Sequence, residues 1–281
     1  FLKRKVPKRK TAPLQETYPY RWSRVVQRRP WSALIIGSAI LLLFASPILS
    51  LNLGFSDEGN YPEDTTTRRA YDLISEGFGP GFNGPLVITA KISQPGDIEN
   101  LQQLVLALNT TTGVAVVSSP IPSNMENPDQ SKAFLVNLVP TTGPQSSSTN
   151  DLVSEIRNNI IPNLTKNSTL QVNVTGLVAT NADFTDYLAG RLLLFFSAIL
   201  AVSFLFLLVV FRSILVPIKA VIMNALSIGA AYGIVVAVFQ WGWMGNLIGI
   251  DGAPIEPFVP MMMFAILFGL SMDYEVFLLS R

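Results

Sequence analysis

The chain has 281 residues, 49% of them hydrophobic and 14% charged, with a mean hydropathy of +0.40. Water-soluble domains carry roughly a quarter charged residues, so this balance points to a membrane protein. The absence of Cys and His excludes disulfides, thiolate nucleophiles, Cys-based metal sites and the commonest general base.

Ten of the twenty Lys and Arg fall within residues 1–29, against one acid, Glu16. Such a basic arm (residues 1–30) is expected in the cytoplasm. Its start, FLKRKVPKRK, could bind anionic membrane lipid, at about 1 kcal/mol per basic residue near the surface. Nucleic acid is not an expected partner, because the cluster lies just ahead of an apolar run and topology already explains it. Trp31–Ser56 is uncharged over 26 residues, and a span over 31–51 is expected as a retained anchor. It is too long for a signal-peptide core, and no small-residue cleavage site follows it.

Residues 52–188 are then expected outside, with a folded domain over 52–185. Pro85–Ile92 reads as a strand, rich in β-branched residues. Asp97–Asn109 reads as a helix with Asp97 as N-cap and leucines at 101, 104 and 108 on one face. Gly113–Ser119 and Ala133–Val139 read as two more strands, with the polar loop PIPSNMENPDQ between them. A second helix is expected over about 149–159 and a fourth strand over Leu170–Gly176. The order β-α-β-β-α-β is a split-βαβ pattern.

From ATNADFTDYLAG the chain runs without a breaker, apart from Gly190, into a second span, 186–211. Thr180 or Asn181 could cap a helix that starts outside and continues through the membrane. Such a helix would couple the outer domain to the bilayer. Further spans are expected over 218–242 and 257–281. The short inner segment holds Arg212 and Lys219, and the short outer loop holds Asp251 and Glu256, as a cytoplasmic N-terminus requires. Trp22, Trp31, Trp241 and Trp243 suit interfacial belts at the span ends. Gly229, Ala230, Ala231 and Gly233 suit close helix packing.

The last span carries two acids. Sixteen uncharged residues precede Asp273, which places it in the hydrocarbon on the cytoplasmic side. A carboxylate at the bilayer centre costs about 2.5–3.5 kcal/mol on insertion scales. No Lys or Arg lies in the apolar core of the spans, so the expected neighbours are neutral: Tyr274, Ser271, Asn224 and Ser227. Desolvation without a cation favours the neutral acid, so Asp273 is expected to hold a proton and release it when water arrives. A structural acid satisfied by a Lys or by hydroxyls from a further helix is the alternative. Glu275 is expected at the inner interface, paired with a helix end or Arg281.

GLSMDYEVFLLSR resembles the Asp-Tyr motif in the fourth helix of one half of MmpL-type transporters, within the resistance-nodulation-division (RND) superfamily. Val210–Trp243 is similar to that family's second and third helices and the basic turn between them. The resemblance implies an α-helical polytopic membrane protein of four spans with an extracytoplasmic α+β ferredoxin-like porter domain. It implies proton-motive-force-driven export of lipids or other hydrophobic molecules, with Asp273 and Tyr274 as the proton relay and no cofactor. Family members complete the relay with a second Asp-Tyr pair, so the remaining half of a transporter is an implied partner and this chain an incomplete one. SMDYEVFLLSR looks more like the C-terminal half, and the resemblance leaves room for a homo-oligomer.

Two other functions compete. One is a related RND branch, a protein-export helper or sterol-handling protein. The other is a membrane-anchored sensor or scaffold with a structural Asp273. Catalysis is not expected: the outer acids Asp57, Glu58, Glu63 and Asp64 read as a solvated turn, and no metal site is expected.

Overall fold

The computed structural model describes residues 18–245 and 252–279. The first seventeen residues, Asp251 and Arg281 therefore lie outside the described part. A short helix, α1 (Tyr18–Arg28), leads into α2 (Pro30–Ala45), which Pro30 opens at its first turn and which tightens into a 3₁₀ turn over Ser46–Ser50. None of the α2 residues is buried. The helix α3 (Thr66–Phe78), which no expectation covered, follows a 3₁₀ turn over Glu58–Asn60. Thr65 caps it by accepting from the Arg68 N–H, and the Arg68–Asp72 pair braces its first turns. Gly79, at φ 108°, ends it in a conformation that other residues avoid.

The sheet comprises β1 (Leu86–Lys91), β2 (Val114–Val117), β3 (Ile121–Pro122), β4 (Ala133–Pro140) and β5 (Gln171–Thr175). Its order is β2-β4-β1-β5, with β3 also on β4, and every pairing is antiparallel. The loop expected after β2 thus supplies an extra short strand. Alternation sends Leu86, Ile88, Val136, Leu138 and Val174 to one face. There they meet Leu101, Leu104 and Leu108 of α4 (Asp97–Asn109) and Leu152 of α5 (Ser147–Glu155). This second helix is longer than expected. It widens into a π turn over Ile156–Ile160 and resumes as α6 (Ile161–Thr165). Pro162 has no N–H to return to the preceding turn, and the wider turn absorbs that loss.

Asp97 is not an N-cap. Gly96 holds that position, and the Asp97 carboxylate instead accepts from the N–H groups of Ser93, Gln94 and Thr169 and the Thr169 hydroxyl. It fastens the start of α4 to the approach to β5. Burial disfavours its ionisation, but these four donors outweigh that and hold its pKa below the ordinary carboxylate value.

The helix α7 (Leu177–Phe211) runs unbroken for 35 residues out of the sheet domain. It starts before the expected Thr180 or Asn181 cap, because Gly176 turns the chain at φ 106° and Val178 and Ala179 are buried in the sheet core. After a left-handed turn at Arg212 comes α8 (Leu215–Val235), extended by a π turn over Val236–Gln240. The last helix is α9 (Val259–Leu279). Among the described residues, three stretches are long and apolar enough to cross a membrane: Pro30–Ser50, Leu177–Phe211 and Leu215–Gln240. Their surfaces carry open apolar side chains such as Leu43, Leu193 and Val209, which lipid accommodates and water does not. The protein is a multi-pass membrane protein with an antiparallel-sheet domain.

Two of the contacts of α8 with its neighbouring helices are close ones. Gly233 of α8 leaves no room for a side chain, since a Cβ there would lie 1.9 Å from the Phe44 carbonyl oxygen of α2. Tyr232 turns the other way and donates its hydroxyl to the Pro260 carbonyl at 2.5 Å, beside Phe264 and Phe268 of α9 and Phe196 of α7.

Candidate functional site

The acid-bearing helix α9 meets α8 through polar atoms below the aromatic cluster. Ser271 donates its hydroxyl to the Asn224 side-chain oxygen, and Asn224 is 4% exposed. A buried amide in an apolar span needs such a partner. Ser227, three positions along α8, is exposed instead. Tyr274 is 70% exposed on the helix surface. Asp273 stands on α9, but its side chain, like that of Glu275, lies outside the described residues. Helix geometry puts position 273 about 160° round α9 from Ser271 and about 180° from Phe264. Ser271 and Asn224 meet each other, while position 273 lies on the opposite side of α9 from that contact.

A second polar region sits where the sheet domain joins the spans. A cleft of about 570 Å³ opens there, lined by Asp57, Asp151, Asp183 and Asp186 among others. Glu58, Glu63 and Asp64 are exposed, as a solvated turn requires, but Asp57, which caps the 3₁₀ turn Glu58–Asn60, is half-buried. Its carboxylate accepts from the Gly59 N–H at 2.9 Å and from the Tyr71 hydroxyl at 3.1 Å. Burial raises the Asp57 pKa, and the hydrogen bonds only partly oppose this. Tyr71 is pushed up to about 12, first by burial and then by the adjacent Asp57 carboxylate. Asn60 extends the network by accepting from Gln145 and donating to the Gly252 carbonyl at 3.3 Å. The chain after α2, the helix α3, the loop before α5 and the segment before α9 are so tied at one point.

Nearby, Gln240 accepts from the Asn52 N–H at 2.8 Å and donates to the Ser50 carbonyl at 2.6 Å. Leu53 and Ile255 add a parallel bridge. These bonds join the C-terminal ends of α2 and α8 to the approach to α9. Arg157, on the π turn of α5, reaches Asp183 on α7. Nothing in the sequence paired these residues, which are far apart and polar; the hints were a lone Arg on an otherwise apolar-striped helix and acids in the first turns of α7. Among the described residues, no cluster of His, Cys, Asp or Glu has the grouping needed to hold a metal.

A family model described as the MMPL family matches residues 61–281. The chain is 37% identical over 281 residues to the membrane protein YdfJ of Bacillus subtilis (strain 168), covering 99% of the chain and 38% of YdfJ. It is 29% identical over 279 residues to the mycolic acid-containing lipids exporter MmpL11 of Mycolicibacterium smegmatis, covering 97% of the chain and 28% of that protein. It is 31% identical over 279 residues to the heme uptake protein MmpL11 of Mycobacterium tuberculosis (strain ATCC 25618 / H37Rv), with the same coverage of 97% and 28%. The chain spans well under half the length of these relatives.

Proposed function

The chain belongs to the MMPL family, and on that premise we propose that it is part of a proton-motive-force-driven exporter of lipids or other hydrophobic molecules. Membership points to a transporter rather than an enzyme. In this proposal α9 is a fourth span, and Asp273 with Tyr274 carries protons through it. The sheet domain is a ferredoxin-like porter domain outside the cell membrane, and the N-terminus is cytoplasmic. The strand order β2-β4-β1-β5 under two helices supports the porter assignment. The unbroken α7 carries the functional reading, because one continuous helix, Gly190 included, joins the core of the sheet domain to a span.

The relay needs a second half. Position 273 lies away from the contact of α9 with α8, so its partner is expected from the other half of the transporter, on the free side of α9. Ser271 and Asn224 then act by holding α9 against α8, and Ser227 is left outside the relay. An intramembrane acid without a cation partner is a natural proton carrier. Lipid is the substrate class proposed because one relative is named as an exporter of mycolic acid-containing lipids.

The test is Asp273→Asn in the full-length protein, reconstituted in liposomes with an imposed proton gradient and a fluorescent lipid. Gradient-driven lipid movement should be lost while membrane insertion is unchanged. Retained transport would overturn the relay and favour a structural Asp273, as in a sensor or scaffold. Movement in the uptake direction would overturn export; another relative is named for heme uptake, so direction must be read and not assumed.

A further inference from the structure

The helix α1 stands immediately before the α2 span, with Arg29 alone between them. Arg29 leaves the helical region at φ −134° and ψ 64°, and Pro30 starts the next helix. The two helices are therefore separate segments joined at a bend. Within α1, Arg21, Arg24 and Arg28 recur at i, i+3 and i+7 and share one face. Trp22 and Val26, spaced i and i+4, share another. The helix contains no acid.

The basic and aromatic side chains are presented outward, and Val26 is half-buried. Arg21, Arg24 and Arg28 are exposed, and Trp22 is 71% exposed. Arg24 is oriented by Tyr20: its guanidinium lies 5.6 Å from the ring centroid and its Nε donates to the Tyr20 hydroxyl at 3.3 Å. Trp31, 75% exposed, marks the start of α2 just beyond the bend.

A basic face, an aromatic on a second face and a span two residues on are what a helix lying in the membrane interface requires. We propose that α1 is an interfacial helix that binds an anionic lipid surface, in the leaflet at the N-terminal end of α2. Arg21, Arg24 and Arg28 engage lipid phosphates, and Trp22 and Val26 enter the acyl boundary. Lipid is the occupant for two reasons. The helix offers positive charge with no acid to complement a second copy of itself. Its attachment within one residue of a span holds its apolar face at headgroup depth. Guanidinium groups suit phosphate because their planar donors can contact two oxygens at once. The proposal requires α2 to span the bilayer and is independent of any transport activity.

The chain has no Cys, so Val26→Cys can be spin-labelled at a single site. The whole chain is placed in nanodiscs of phosphatidylcholine, alone or mixed with phosphatidylglycerol, and collision of the label with a water-soluble nickel chelate is measured. In the anionic membrane the label should be roughly tenfold less accessible than in the neutral one. Replacing the three arginines (Arg21→Gln, Arg24→Gln and Arg28→Gln together) should remove that difference, as should high salt. Equal exposure in both membranes overturns the proposal, and equal burial in both overturns its anionic specificity. A short label-to-label distance between two copies would assign the face to self-association instead. A parallel label at Leu42→Cys should be lipid-buried throughout; water access there would overturn the proposal by removing the span it depends on.

Discussion

Arg157 and Asp183 form a two-pronged pair that ties α5 to α7. Nη1 donates to Oδ1, and Nη2 donates to Oδ2 at 2.9 Å and to the Val174 carbonyl at 2.7 Å. One guanidinium thus holds the end of β5, the π turn of α5 and the first turns of α7. Replacing Arg157 with Gln should lower the stability of the detergent-solubilised chain by about 1–2 kcal/mol, most of it from the Val174 carbonyl left without its charged donor. Asp183→Asn should cost about 0.5 kcal/mol or less, since that carboxylate is more than half exposed and screened. Thermal unfolding of both variants checks the ranking; an equal cost would mean that the ion pair dominates.

The close approach of Gly233 to Phe44 sets a size limit between α8 and α2. Gly233→Ala should destabilise by about 1–3 kcal/mol or push the helices apart, because the added Cβ meets backbone that cannot yield. Gly229→Ala is the control. Its Cβ would lie 3.6 Å from that of Ala45, an ordinary contact, and should be tolerated. Resistance to thermal aggregation in detergent would distinguish the two.

Asp97 predicts an acid limit for the sheet domain. Its folded pKa is held below the ordinary carboxylate value near about 4. Its contribution is therefore fully present above that ordinary value and is lost as pH falls through the folded one. Asp97→Asn should lower the unfolding midpoint by several degrees at neutral pH and flatten its dependence on pH below about 4. An unchanged acid limb in the variant would assign that limb to other carboxylates.

Tyr71 makes a spectroscopic prediction. Its phenol should ionise near about 12, later than an exposed tyrosine. In Asp57→Asn the midpoint should fall, because the charge that opposes the phenolate is gone, though burial keeps it raised. Difference titration of phenolate absorbance against Tyr71→Phe measures both. Asp57 works in the opposite sense to Asp97. Its raised pKa favours the protonated acid in the folded state, so its contribution is present at low pH and is lost as pH rises through the folded pKa.

The elements that were legible in the sequence are those that bury a regular stripe. Leucines 101, 104 and 108 announced α4, and the alternation in Leu86–Lys91 announced β1, because each pattern maps onto one apolar face. The helix α3 buries no residue, although Tyr71, Ile74 and Phe78 recur on it at helical spacing, a stripe that the reading passed over. Its local signals were the Thr65 cap and the Arg68–Asp72 spacing. Asp57 was misjudged for the same reason: its partner Tyr71 stands on that unanticipated helix. The donors that displaced Asp97 from a capping role include Thr169, 72 positions away and beyond the reach of local pattern. In the spans, composition pointed to both Ser271 and Asn224, but their mutual bond depends on helix rotation, which hydropathy does not encode.

The length of α7 has a geometric outcome. Thirty-five residues at 1.5 Å each make a rod of about 52 Å. A tilt of about 5° at its membrane end would swing the other end through about 4–5 Å, close to the spacing of neighbouring strands. Val178 and Ala179 sit at that far end, inside the sheet core. A rod of this reach would turn a small tilt in the membrane into a displacement of about one strand spacing at the sheet core.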